Sequence, residues 1–438
     1  MTNNEHYKQK ASEDVDKSKE AFCDLGYENI EINSDLGLTK VFIHSINIKT
    51  IFYSNHTISL GNTIQTRRNF MLDIRTPEQY INEAGSIKKA GEYIGKYGKN
   101  AFIIASPKAL STVSKDLFES LEKNSISYEL ISFTGYPTLA KASEYAEIVK
   151  NTNKSVIIAI GGGKVQDVSK ATGDLSRLPV IAIPTIAATC ASWAAVSIIY
   201  NDEGDYEQVH LNRFTPRLII ADPEIILNAP ERYLKAGIVD TYAKWYETIP
   251  GITGKDDALP LQISVNGAKV ALDLLNEKGL KAVEDSRKGI VSKEGIDTID
   301  AIIYLAGFVG SFVGERAFAG FAHPFYHASR RIPSTRHILH GELVSYGLIT
   351  QLILEGKPEQ EIYDVIQKFA QFDVAFTLED IGLAEDSKNK LTIIAKRVLK
   401  EFPGYTALGF GTTVEEIVAG LYKADEYVRE YRTKYRSA

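Results

Sequence analysis

Asp240 stands in the stretch AGIVDTYAKWYE, an acid among apolar and aromatic neighbours. A carboxylate buried in such a setting is costly unless a cation or a metal meets it. Four of the eight histidines follow between positions 323 and 340: His323, His327, His337 and His340. His323 and His327 are four apart, so on a helix they share one face. His340 precedes Gly341 and Glu342 at the start of another helical pattern. One carboxylate with imidazoles and an open position is the donor set of a catalytic Zn2+ or Fe2+. A lone histidine is more often a satisfied core residue, and it is the cluster with an apolar aspartate that tilts the reading towards metal. His337, among Ser334, Thr335 and Arg336, reads as a loop residue. The cysteines are Cys23 and Cys190 with no CxxC pair, so sulfur offers neither a zinc site nor a disulfide framework.

A second group of residues could hold phosphate. In IIAIGGGKVQDVSK an apolar run enters Gly161, Gly162 and Gly163, and a helical pattern begins at Lys164. Glycines let backbone approach a phosphate, and a helix N-terminus offers free N–H groups. The turn is not a G-x-G-x-x-G fingerprint, and taken alone a plain strand-to-helix connection is the commoner explanation. The segment PTIAATCASWAAVSIIY, 184–200, ends a strand in small side chains, either to seat a ligand or to pack a tight turn.

The elements that must position these residues alternate at first. PEQYINEAGSIKKAGEYIGKYG has helical spacing, with Pro77 early and Gly98 at its stop. Short apolar runs AFIIAS, YELISFTG, SVIIAIGGG, PVIAIPT and RLIIAD read as strands separated by helices, which implies a parallel sheet covered on both faces. Beyond about residue 228 the strands stop and long helical patterns take over, with Gly307, Gly310 and Gly314 spaced for close helix approach. The expected organisation is an extension over 1–70, an α/β nucleotide-binding domain over 71–227 and an all-α metal-binding domain over 228–438. A ligand would lie in the cleft between them, outside the carboxyl ends of the strands. The extension is expected to be disordered or untranslated, with Met71 the real start. A net charge of -6 and a pI near 5.9 speak against a general nucleic-acid binder. Without an apolar run of membrane length or a signal-peptide core, the expectation is a soluble, cytoplasmic protein, binding a small molecule and not a membrane.

Taken together, Gly161-Gly162-Gly163-Lys164-x-x-Asp167, Pro184-Thr185-Ile186-Ala187-Ala188-Thr189, Gly237-x-x-Asp240 running to Trp245 and Glu247, and His323 with His340-Gly341-Glu342 resemble the iron-containing (group III) alcohol dehydrogenase superfamily, in its glycerol dehydrogenase branch. The separations of 83 and 17 residues between Asp240, His323 and His340 also suit that branch. The match runs from about residue 71 to the C-terminus. The resemblance implies the dehydroquinate synthase-like fold of that family, and a divalent metal on Asp240, His323 and His340, with Zn2+ favoured over Fe2+. It implies NAD(P)(H) against Gly161, Gly162, Gly163, Lys164 and Asp167, with Thr185, Ala188, Thr189, Val196 and Tyr200 lining the cofactor pocket. A homo-oligomer is expected.

Several positions depart from glycerol dehydrogenases. Cys190 replaces a substrate-contacting aspartate, Lys244 follows Asp240 by one helical turn, and Trp193 brings bulk into the same segment. Losing an acid and gaining a lysine both raise the local potential, and PTIAATCASW with DTYAKWYE is similar to the hydroxycarboxylate dehydrogenase subgroup. The reaction expected is therefore reversible reduction of a small 2-oxo acid, with Lys244, His327 and Cys190 in the substrate pocket. His327 would serve as a proton relay or as a supporting partner. An exposed helix lysine is the plain alternative for Lys244. Glycerol or polyol oxidation is the alternative function, and a carbocycle synthase of the dehydroquinate synthase type, which would need a basic cluster such as Arg330-Arg331, is a further one. Ser106 stands where NAD-preferring relatives carry an aspartate for the ribose. A 2′-phosphate is then not repelled, Lys108 could help hold it, and NADP(H) is slightly favoured.

Overall fold

The computed structural model describes residues 31–33, 40–42, 73–251, 259–313, 320–374 and 376–435. Chain contacts separate Met1–Phe70 from Met71–Ala438. In the first unit Glu31–Asn33 pairs antiparallel with Lys40–Phe42. The expectations for the rest of that extension, and for Gly314, lie outside the described residues.

The second unit opens on a six-stranded parallel sheet. Its strands are β1 (Gln79–Ile81), β2 (Asn100–Ala105), β3 (Ser127–Ser132), β4 (Val156–Ile160), β5 (Val180–Ile183) and, after a hairpin of β6 (Val196–Tyr200) with β7 (Tyr206–Leu211), β8 (Leu218–Ile220). The spatial order is β1-β8-β5-β4-β2-β3, every neighbouring pair parallel. Alternate residues of β2 and β4 feed opposite cores, as period-two geometry demands. Ile103 and Ile158 face Val113 and Leu117 of helix α1 (Pro107–Lys123). Phe102 and Ile157 face Ala142 of α2 (Leu139–Asn151) and Val168 of α3 (Gly163–Ser176). Burial on both sides explains why these strands read as unbroken apolar runs.

The second half of the unit is helical. It is led by α4 (Glu231–Thr248), α5 (Leu259–Arg287), α6 (Lys293–Asp300), α7 (Ala322–Ser329) and α8 (His340–Leu354), and further helices follow to Tyr435. No helix among the described residues is long and apolar enough to cross a membrane.

Three expectations are corrected here. The stretch 77–98 is not one helix. Gln79–Ile81 is a strand bonded to β8, and helix occupies only Ser86–Ile94. Its edge position is fixed by side-chain bonds that periodicity cannot show: Tyr80 and Asn82 donate to Asp300 Oδ1 at 2.9 and 2.7 Å. Pairing also does not end at 228, because Phe312–Val313 pairs antiparallel with Asp73–Ile74. Finally, the space left by Gly307 is taken by a side chain rather than by a second helix backbone. A Cβ there would fall 2.4 Å from Trp193 Cγ, so the glycine seats the indole.

Candidate active site

The carboxyl ends of β2, β4 and β5 lie side by side, which places the two small-residue segments together. Gly161 N–H donates to Ile183 O at 3.1 Å, and Ser106 N–H to Ile160 O at 3.3 Å. Gly161 has φ +150°, and a Cβ on it would meet Val165 Cγ2 at 2.8 Å, so this turn needs glycine. Gly162 caps α3 with no side-chain partner, which leaves the helix's first N–H groups facing a small cavity. Gly161, Gly162, Gly163, Pro184, Ala188 and Thr189 line it. Thr185 is buried just behind.

Other sequence-selected residues here have structural tasks. Ser106 caps α1 by accepting from Ala109 N–H, and Lys108, two residues on, is exposed. Asp167 is buried and ion-paired to Lys170 at 3.1 Å. The ammonium of Lys170 also donates to the carbonyls of Ala194, at 3.1 Å, and Val196, which ties α3 to the start of β6. Tyr200 is buried, its hydroxyl 2.7 Å from that of Tyr326. The ammonium of Lys164 lies 3.8 Å over the Tyr136 ring. Burial, and then the charge of Arg330, push it down to about 8.

Asp240, His323 and His340 converge across this cleft, with ligand atoms within 4.8 Å of one another. Asp240 Oδ1 lies 2.9 Å from His340 Nε2 and 3.3 Å from His323 Nε2. Glycines bring their helices this close. A Cβ on Gly341 would sit 1.9 Å from the Ala236 carbonyl oxygen of α4, and one on Gly237 would sit 2.1 Å from Ala187 O. The buried Glu247, two turns after Asp240, accepts from His323 N–H at 3.0 Å and from its Nδ1. That leaves His323 Nε2 on the side of Asp240 and Lys244. It faces Asp240 Oδ1, a buried oxygen without a hydrogen-bond partner, in an arrangement that suits a cation between them. Glu342 of the H-G-E motif does not reach the site. It chelates Arg232 at 2.6 Å through both oxygens and accepts from Leu339 N–H, bracing the start of α8.

Burial opposes ionisation of Asp240, but Lys244, His340 and His323 outweigh it and hold the carboxyl well below the usual range. Burial likewise works against charge on Lys244, and Asp240, Cys190 and Glu247 outweigh it, so the lysine keeps its proton. Lys244 is buried, not exposed, with Nζ 3.3 Å from His323 Nε2. Cys190 belongs to the same electrostatic neighbourhood, where burial pushes its thiol up and keeps it neutral. His327 lies on the His323 helix, buried against Tyr206 at 4.4 Å between ring centroids. Its Nδ1 lacks a partner, and burial with neighbouring positive charge holds it neutral. His337 is exposed, away from this group.

Trp193 corrects one expectation about the substrate. Its indole packs against Gly307, Tyr80 and Tyr304 and donates to Ser311 Oγ at 2.9 Å, so its bulk completes a core. Sequence reasoning gave no role to Glu247, Tyr326 or Gly341. The signals were present: Glu247 lies two turns from Asp240, Tyr326 lies beside His327, and a glycine directly follows His340.

The chain is also similar to known proteins. The pattern described as "Iron-containing alcohol dehydrogenase" matches residues 77–223. A glycerol dehydrogenase of Escherichia coli O6:H1 is 30% identical over 362 residues, covering 82% of this chain and 98% of that protein. Hydroxycarboxylate dehydrogenase A of Escherichia coli K12 is 31% identical over 279 residues, 63% of this chain and 76% of that protein. In three dimensions, the crystal structure of a probable glycerol dehydrogenase from Sinorhizobium meliloti superposes with a TM-score of 0.74 at 23% identity, covering 82% of this chain and 99% of that one.

Proposed function

Because the chain belongs to the iron-containing alcohol dehydrogenase family, we propose that it reduces a small 2-oxo acid to the 2-hydroxy acid, reversibly, with a nicotinamide cofactor. The coarser activity, metal-dependent dehydrogenation at a CH–OH group, comes with that membership. The oxo-acid reading rests on one observation, the buried Lys244 beside the three converging side chains.

A divalent metal held by Asp240, His323 and His340 would act as a Lewis acid on the substrate oxygen. A bound nicotinamide would supply or accept the hydride. The chain's own residues do the rest. Glu247 fixes the ring of His323 through Nδ1 and so turns Nε2 towards Asp240 and His340, where it would coordinate. Lys244 Nζ offers a charged hydrogen-bond donor to a carboxylate next to the reacting carbonyl. Cys190, neutral where an aspartate would repel that carboxylate, removes an opposing charge. The glycine turn and the open N–H groups of α3 suit a pyrophosphate. Ser106, with no carboxylate to repel a 2′-phosphate, favours NADP(H).

Glycerol or polyol oxidation is the second reading, favoured by the 30% identity across nearly the whole length of a glycerol dehydrogenase. Purified, metal-loaded protein should be assayed with NADPH and NADH against 2-oxobutyrate, 2-oxoglutarate, dihydroxyacetone and glycerol. Turnover of an oxo acid well above that of the neutral pair is expected. Brisk glycerol oxidation with no oxo-acid reduction would make the polyol reading correct.

A further inference from the structure

The turn that follows Thr189 is held from two sides. Trp193 N–H donates to Cys190 O at 2.9 Å and Ala194 N–H to the same oxygen at 3.3 Å, which closes Cys190–Ala194 into one turn. From the α/β half, Lys170 of α3 holds the Ala194 carbonyl at 3.1 Å. Thr189 Oγ1 and Ala191 Cβ lie 3.6 Å from where a Cβ on Gly163 would stand. Towards the helical half the turn sends out the indole of Trp193, which is 5% exposed.

The seat of that indole lies on the helical turn Ala306–Val309, just after a π-helical turn at Ala301–Leu305. Such π turns are rare and frequently occur at functional sites. A Cβ on Gly307 would meet Trp193 Cγ, Cβ and Cδ1 at 2.4, 2.5 and 2.7 Å. Gly307 sits in helix without a positive φ, so the ring, and not the backbone, calls for glycine here. Trp193 Nε1 donates to Ser311 Oγ at 2.9 Å, and Ser311 Oγ donates in turn to Gly307 O at 3.2 Å. Tyr304 of the π turn and Tyr80 of β1 pack on the ring, with centroids 5.2 and 5.9 Å away. The notch sets the depth of the indole and the Nε1 bond sets its rotation, so residue 193 has a fixed place against the helical half. Because Trp193 N–H holds Cys190 O, that place is passed on to Cys190, whose thiol feels the charges of Lys244 and Asp240.

We propose that Trp193 is a positioning residue: it fixes the Cys190–Ala194 turn to the helical half, so that Cys190 keeps its place relative to Asp240, His323 and His340. It acts through the turn and not by contact with the substrate. An oxo acid and a polyol would depend on it alike, since either must fit between that turn and the Asp240 group.

Four substitutions test this. Trp193→Leu leaves most of the notch unfilled, while Trp193→Phe and Ser311→Ala each remove only the Nε1 bond. Gly307→Ala pushes the ring out and puts a better helix former in the backbone. Each metal-loaded variant is assayed below its Tm for kcat, KM and metal content, and alkylation of Cys190 by iodoacetamide is followed by peptide mass spectrometry. A misplacement of about 1 Å can cost about 100-fold in rate. Trp193→Leu and Gly307→Ala should therefore lower kcat at least about tenfold, with metal retained and KM much less affected. The two bond-deleting variants should lose severalfold and, combined, no more than either alone. Gly307→Ala should add little to Trp193→Leu, because the ring it displaces is already gone. Cys190 should be alkylated severalfold faster in Trp193→Leu than in wild type. A kcat close to that of wild type, with only Tm lowered, would make Trp193 a core residue and nothing more. An unchanged alkylation rate, or losses that simply add in the Gly307→Ala/Trp193→Leu double variant, would also overturn the role. A fall in activity that only tracks lost metal would place the effect at the Asp240 group and refute the part given to the turn. Absence of any turnover by wild type would count against the dehydrogenase reading alone, and the alkylation rates would then decide the role of Trp193.

Discussion

Replacing Lys244 by methionine removes one positive charge from the site and keeps most of the side chain's bulk. Nζ lies 3.3 Å from His323 Nε2, so a substrate carboxylate next to the coordinated carbonyl oxygen falls within direct reach. At a separation of about 5 Å and an effective dielectric near 20, the lost attraction is about 3 kcal/mol. That corresponds to a drop of roughly two orders of magnitude in kcat/KM for an oxo acid. Lys244 is buried, so added salt screens this interaction only weakly. Dihydroxyacetone carries no charge and should lose much less, so the informative quantity is the ratio of the two activities in each protein. Metal content must be measured in parallel. Removing a neighbouring cation should strengthen metal retention, and a loss of metal would point to collapse of the site instead. An equal loss on charged and neutral substrates, with metal retained, would refute the electrostatic reasoning and leave Lys244 with a general role.

Alanine at Asp240, His323 or His340 should abolish metal retention, read by elemental analysis, while circular dichroism stays near that of wild type. Glu247→Gln should weaken metal binding by about 10- to 100-fold, because His323 loses the carboxylate that orients it. Gly341→Ala introduces a Cβ 1.9 Å from a backbone oxygen of α4, so α8 must back away. A cost of about 1–3 kcal/mol is expected as a lowered Tm, with weaker metal retention as His340 leaves Asp240. Ser106→Asp should keep its helix cap, since aspartate caps as well as serine, and should shift the NADH-to-NADPH activity ratio towards NADH. A wild type that already prefers NADH strongly would remove Ser106 from that role.

The grouping of Asp240, His323 and His340 was legible because each is an unusual residue type in an apolar or clustered setting. The parallel sheet was legible because two-sided burial writes unbroken runs such as SVIIAI into the sequence. What escaped depended on partners far along the chain. Gln79–Ile81 shares its residue types with the helix that follows, and only its pairing with Leu218–Ile220 makes it a strand. Trp193 looked like a pocket residue because nothing local reveals that Gly307 leaves space for it. The β6–β7 hairpin hid behind a run of small residues read as a ligand segment or a tight turn.

The strip from Asp73 to Asn82 enters the parallel sheet through β1 and is also stitched to the helical half. Arg75 N–H donates to Ser311 O at 3.0 Å, Tyr80 and Asn82 reach Asp300, and Asn82 also reaches Ile296 O at 3.2 Å. These bonds join residues more than 200 positions apart, so their loop-closure entropy is met only late in folding. Neither half can reach its full complement of bonds while the other is unfolded. Denaturant titrations followed by fluorescence and by far-ultraviolet dichroism should therefore coincide in one transition, and a fragment beginning after Asn82 should unfold in two.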